Sequence, residues 1–178
     1  MPSTAPDPAP AAPSVPPLLG DLPQELATTR RVLERVPVET HADWKPHAKS
    51  WTLGQLAAHL CNIPGWGIAT LTSDGMDFAQ PMTRPEEPRT REALVARFDE
   101  NVRAFTATLG GMDDASLAAT WTARRGEQVI FALPRTAILR STILSHMIHH
   151  RAQLGVYLRL LDVAVPSIYG PSADEGTF

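Results

Sequence analysis

A single cysteine, Cys61, in 178 residues cannot form an internal disulfide, which excludes the disulfide-stapled secreted folds and favours a reducing compartment. No apolar run reaches the roughly 18 residues of a membrane-spanning helix, and the N-terminus lacks the basic start and continuous apolar stretch of a signal peptide. The expectation is a soluble, cytoplasmic protein with no membrane partner. Basic residues never cluster beyond the doublets Arg30-Arg31 and Arg124-Arg125, and the formal net charge is -3, so the electrostatic footprint of a nucleic-acid partner is missing. Lysine is scarce, with Lys45 and Lys49 alone. There is no G-x-S-x-G, phosphate-loop or dinucleotide glycine pattern and no internal repeat, which leaves serine-hydrolase and phosphate-loop chemistry without support.

Proline, by contrast, is plentiful, and its distribution divides the chain. Seven of the 17 prolines fall within the first 17 residues, among Ala and Ser with little apolar bulk, so residues 1–18 are expected to be a disordered Pro/Ala-rich tail. Residues 19–178 have the length of a single domain with one core. From Asp21, a candidate N-cap with Gln24 at the capping-box position, Leu22, Leu26, Leu33 and Val36 recur at helical spacing up to Pro37. Residues 39–50 read as a loop. A second helix is expected from Ser50 or Thr52 to about Leu71, kinked at Pro64. Residues 73–89, with Pro81, Pro85 and Pro88, read as a long connection. Thr90 caps a third helix, stopped by Gly110-Gly111, and residues 113–119 suit a short helical turn. Val129, Ile130 and Phe131 after the turn candidate Arg125-Gly126 fit a short β-hairpin. Pro134 then opens the longest periodic segment, to about Leu160. The fold class is therefore all-α, four long helices in a bundle, with a short hairpin before the last one.

That last helix carries the chemistry. Three of the six histidines stand together in His146-Met147-Ile148-His149-His150. His146 and His150 are one helical turn apart, so both imidazoles can reach one metal ion; His149 could replace His150. Thr142, Gln153 and Tyr157 lie on the same stripe, where a bundle would ordinarily place Leu or Ile. A third ligand has to come from another helix, and His59, mid-helix on the apolar face between Leu56 and Ile63, is the best candidate. Three neutral imidazoles would leave positions open, as in catalytic zinc sites, and imidazole also suits Ni and Fe. The residues alone equally allow His59 to be a hydrogen-bonded core residue and the 146/149/150 group to be a solvated patch. His41 and His47 read as loop residues without a role, and Cys61 as a buried small apolar residue facing away from His59.

The string His146-Met147-Ile148-His149-His150-Arg151-Ala152-Gln153-Leu154 resembles the H-x-x-x-H-R-G-Q signature of the DinB-like (YfiT-type) metal-binding four-helix-bundle superfamily. So do Trp51-Thr52-Leu53-Gly54-Gln55-Leu56-Ala57-Ala58-His59-Leu60 and the segment from Asp162 to Glu175 containing Val165-Pro166-Ser167-Ile168-Tyr169-Gly170-Pro171. Ala152 departs from the usual Gly. The resemblance implies a bacterial homodimer in which His59, His146 and His150 hold a divalent metal, Zn or Ni, in a cleft at one end of the bundle. Gln153, Tyr157 and His149 are the candidates for supporting roles around it. It further implies a small-molecule substrate and thiol-dependent transferase or isomerase chemistry, with the metal activating a low-molecular-weight thiol. With only Cys61 in the chain, that thiol would arrive as a cofactor. The alternative is a non-catalytic, stress-associated metal-binding or interaction protein, its site closed by a fourth ligand such as a carboxylate from the Asp74/Asp77 loop.

Overall fold

The computed structural model describes residues 16–82 and 85–176, so most of the expected tail, residues 1–15, lies outside the described residues. Leu18, assigned to that tail, sits in a 3₁₀ turn, Pro17–Leu19, and Leu19 is buried. The elements that follow are α1 (Leu22–Leu33), α2 (Val38–His41), α3 (Leu53–Thr72), β1 (Gly75–Asp77), α4 (Arg91–Gly110), α5 (Asp114–Ala118), β2 (Thr120–Arg125), β3 (Gln128–Pro134), α6 (Arg135–Ile138), a π-helical stretch (Leu139–Ser145) and α7 (His146–Leu160). The molecule is thus mostly helical with a small three-stranded sheet.

Local sequence sets most helix ends. Thr52 accepts a hydrogen bond from the Gln55 N–H while the Gln55 side chain accepts from the Thr52 N–H, a complete capping box that starts α3. Thr90 and Asp113 cap α4 and α5 through the N–H groups of Ala93 and Ser116. Asp21 does not cap α1: its backbone is already helical, because the 3₁₀ turn leads straight into the helix, and its carboxylate makes no cap bond. Helix α3 continues through Pro64.

Packing of apolar stripes joins the long helices: α3 lies against α4 and α7, and α1 against α4 and α7. Leu26, Leu33, Leu56, Leu60, Ile63, Phe98, Phe105, Leu154 and Leu158 belong to one buried cluster between them. The α3–α4 approach is close enough that a Cβ on Gly67 would lie 2.5 Å from the Phe105 ring, so glycine is required by space there.

Three features depart from the sequence expectations. The short helix α2, Val38–His41, takes up the start of the 39–50 loop. The 73–89 connection contributes β1, parallel to β2, while β2 and β3 form the expected hairpin around Gly126 at φ +58°. Gly75 permits this pairing, since a Cβ there would stand 2.2 Å from the Thr122 carbonyl oxygen. Third, the long C-terminal helix is not uniform: residues 139–145 form wider π turns directly before His146. Such a stretch changes the angular phase between the residues on either side of it, and it re-aims His146 relative to Ile138.

Arg135 fastens the sheet end of the molecule to the end of α3. Its guanidinium donates to the carbonyls of Thr70, Ser73 and Ser116 and to Asp74 Oδ1, satisfying two oxygens from the last turn and C-cap of α3 that no helical N–H reaches.

Candidate metal centre

His59 comes from the middle of α3, and His146 and His150 from the first turns of α7, the two helices being packed together. All three rings are partly buried. Their ligand atoms all fall within 4.8 Å of one another, the only such group of three or more His, Cys, Asp or Glu side chains among the described residues. The Nε2 atoms of His146 and His150 are 2.8 Å apart, and those of His59 and His146 are 3.3 Å apart.

Each of the two α7 rings has a hydrogen-bond partner behind it at Nδ1. His146 Nδ1 faces the Thr142 carbonyl at 3.2 Å, and a carbonyl can only accept, so Nδ1 carries the hydrogen. His150 Nδ1 lies 2.8 Å from Gln153 Oε1, and with the amide in this orientation it donates there. His146 therefore presents an Nε2 lone pair to the centre of the site, and so does His150 when its Nδ1 hydrogen is given to Gln153. Two Nε2 atoms 2.8 Å apart share either one hydrogen or a cation, and imidazole–metal bonds of about 2.0–2.1 Å place donor atoms about 3 Å apart. The donor set thus fits a divalent ion, which these three histidines could hold.

Burial also keeps the rings neutral, the form a metal needs. Desolvation, reinforced by the charges His150 and His146 would carry, lowers His59 to about 4. His146 and His150 are lowered too, chiefly by desolvation, against the opposing hydrogen bonds to Thr142 and Gln153.

Aromatic rings frame the triad. Trp51 stacks on His150 with centroids 5.7 Å apart and meets His59 edge-on; Trp66 stacks on His146 at 5.8 Å and also meets His59 edge-on. On the Trp51 side a cavity of about 310 Å³ opens beside His150, lined by Lys49, Ser50, Trp51, Leu56, Gln153 and Tyr157. Across Trp66 a second cavity of about 90 Å³ is lined almost wholly by apolar groups, among them Met76, Phe78, Trp121 and Ile143.

Of the supporting candidates, Gln153 touches a triad ring, while Tyr157 lines the cavity and donates to the Trp51 carbonyl. His149 is exposed beside His150, 4.9 Å between ring centroids, and outside the triad. Neither Asp74 nor Asp77 joins the histidines: Asp74 pairs with Arg135, and Asp77 accepts from the N–H groups of Ala79 and Gly126. Cys61 is fully buried, its thiol pushed up to about 12 by desolvation. Sequence reasoning missed the Trp51 and Trp66 walls, the Lys49–Ser50 lining and the role of Arg151. This buried arginine, next to His150, meets Glu25 at 2.6 Å and Tyr169 Oη at 2.7 Å. An arginine on the stripe Met147, Arg151, Leu154, Leu158 was the available signal.

A mostly helical protein with a three-histidine cluster between two long helices is the class these features define. The DinB family pattern matches residues 19–177, and the chain belongs to that family. The uncharacterized protein YrdA of Bacillus subtilis (strain 168) is 28% identical over 132 residues, 72% of each chain. Two solved structures share the fold. A DinB-like protein from Bacillus cereus ATCC 10987 has a TM-score of 0.62 at 22% identity, over 85% of this chain and 95% of that one. The DinB-like protein YjoA from Bacillus subtilis has a TM-score of 0.63 at 16% identity, over 85% and 96%. Among the described residues no helix is long and apolar enough to cross a membrane.

Proposed function

We propose that this chain is a metal-dependent enzyme that transfers a low-molecular-weight thiol to a small electrophile, with His59, His146 and His150 as its metal ligands. The observation that carries the reading is the convergence of three histidine ligand atoms within 4.8 Å, two of them backed at Nδ1 by Thr142 and Gln153, beside a cavity of small-molecule size. When bound, a divalent ion such as Zn or Ni supplies Lewis acidity, lowering the pKa of a thiol or water so that the nucleophile exists at neutral pH. The chain's own residues orient and exclude. The Thr142 carbonyl and Gln153 fix the tautomers of two rings, and Trp51 and Trp66 shield the triad from bulk water. In the reaction the thiol sulfur forms a bond to the electrophilic carbon, the leaving group departs with its electron pair, and the thiol proton passes to solvent. The apolar cavity across Trp66 suits the uncharged body of the electrophile. The thiol is exogenous in this reading, since Cys61 is buried and protonated. We place the helices in the four-helix bundle of the DinB-like proteins, in a single domain from residue 19, acting as a cytoplasmic homodimer.

The test is metal analysis of untagged protein reconstituted with Zn or Ni, with His146→Ala as control, followed by conjugation assays with glutathione, mycothiol and bacillithiol against a panel of electrophiles. Stoichiometric metal lost in His146→Ala, together with thiol-dependent turnover, is expected. No metal after reconstitution refutes the reading; metal without turnover for any thiol makes the chain a non-catalytic metal-binding protein.

A further inference from the structure

The cavity beside His150 has an imbalance of hydrogen-bonding groups. Lys49 spends its backbone N–H on His47 Nδ1, but its ammonium takes part in none of the ion pairs among the described residues. The neighbouring Lys45 differs, its Nζ donating to the Ala48 carbonyl. The Ser50 N–H bonds the His47 carbonyl, and the Ser50 hydroxyl, half-buried at the cavity wall, has no protein partner among the described residues. Gln153 accepts from His150 through Oε1, which turns its amide hydrogens away from that ring. Tyr157 has already given its proton to the Trp51 carbonyl. No carboxylate lines the cavity. One cation and two neutral donors, with no protein acceptor among the described residues, line the same space as a triad histidine.

We infer that this cavity binds a small ligand bearing a single carboxylate, held by Lys49 with Ser50 and the Gln153 amide donating, and directs the ligand's other end towards the three histidines. One ammonium balances one negative charge, which favours a carboxylate over a phosphate dianion. Charge-assisted hydrogen bonds are the strong ones, and Trp51, about half exposed at 47%, provides a flat apolar wall along the ligand's body. Resting on the proposed thiol chemistry, the inference specifies the thiol as a carboxylate-bearing one.

The experiment uses the full-length, cobalt(II)-loaded protein and compares 3-mercaptopropionate with its neutral isostere 3-mercaptopropionamide, following the sulfur-to-cobalt charge-transfer absorption. The acid is expected to bind about tenfold more tightly than the amide, the equivalent of one charge-assisted contact. Lys49→Gln, an exposed substitution outside the triad, is expected to remove that preference by weakening the acid more than the amide. Equal affinities in the unaltered protein, or a preference that survives Lys49→Gln, overturn the inference. If neither thiol produces the band, the thiol reading has failed, and propionate against propionamide, titrated calorimetrically into the same protein, decides the carboxylate site by itself. Saturable propionate binding that Lys49→Gln abolishes supports the site, and absence of binding overturns it.

Discussion

Replacing Arg151 with Met should cost more stability than any other single change near the site. Arg151 is 1% exposed and Glu25, across the core on α1, is 4% exposed. The guanidinium lies 2.6 Å from Glu25 Oε2 and also donates to the Glu25 carbonyl, to Thr29 Oγ1 and to Tyr169 Oη. Tyr169 in turn donates to Glu25 Oε1 at 2.9 Å, so one carboxylate, one guanidinium and one phenol close a ring that ties α1, α7 and the C-terminal segment together. Glu25 Oε2 has no aligned hydrogen bond and depends on the charge of Arg151 alone. Met fills much of the arginine's volume but leaves that carboxylate buried without a counter-charge, a loss of about 3–5 kcal/mol. At about 2–4 °C per kcal/mol for a chain of this size, the midpoint should fall by roughly 6–20 °C. Urea denaturation followed by far-UV circular dichroism, with unchanged m-value, measures the loss. The double variant Arg151→Met/Glu25→Leu should recover most of it, because no charge remains buried. A loss below about 1 kcal/mol for Arg151→Met, or strict additivity in the double-mutant cycle, would refute the assignment of a coupled buried pair.

Gly67→Ala should destabilise by about 1–3 kcal/mol, read by the same denaturation, since its Cβ would overlap the Phe105 ring between two packed helices. Cys61 should react with a disulfide reagent in the native protein only at the rate of unfolding, and completely in denaturant, because it is buried and its thiol is held protonated near 12. The metal-free protein should lose stability as pH falls. His59 is held at about 4 in the fold against about 6.5 in the unfolded chain, so between those values the unfolded state binds more protons. The stability that a neutral His59 allows is full above pH 6.5 and drains away as pH approaches 4. Denaturation midpoints in chelator at pH 7.5, 6, 5 and 4 check the sign, and a flat profile contradicts it.

What could be read from the sequence was what local periodicity encodes. His146 and His150 share a face because a helical turn spans four residues, and His59 points inward because Leu56 and Ile63 do; both facts belong to single helices. The caps at Thr52, Thr90 and Asp113 are local too. Strand β1 was not legible: three residues have no period, and the partner that makes them a strand, Thr122–Arg124, lies more than 40 residues away. Nor was the π-helical stretch, since Ile138, Thr142 and His146 keep a four-residue spacing that α-helix satisfies equally well. The cavity beside His150 escaped notice because Lys49 and Ser50 look like an ordinary loop until α7 is packed against them.

Gln153 is the residue at which these two levels meet, being one turn beyond His150 by sequence and bonded to it by packing. A neutral imidazole can carry its hydrogen on either nitrogen, and only the Nδ1–H form offers Nε2 to a metal. For His146 the choice is enforced by the Thr142 carbonyl, which no side-chain substitution removes. For His150 the only acceptor beside Nδ1 is the Gln153 side chain. Gln153→Leu should therefore leave the fold intact, since residue 153 is exposed, while allowing His150 to rotate and to place its hydrogen on Nε2. Loss of such an orienting partner typically weakens metal affinity by about 10–100-fold. Competition for zinc against a chromophoric chelator at pH 7.5 should register that drop, and Gln153→Glu, which keeps an acceptor at the same reach, should restore binding. If Gln153→Leu binds zinc as tightly as the unaltered chain, His150 is not oriented through Nδ1, and the convergence of lone pairs on which the proposed metal centre rests does not hold.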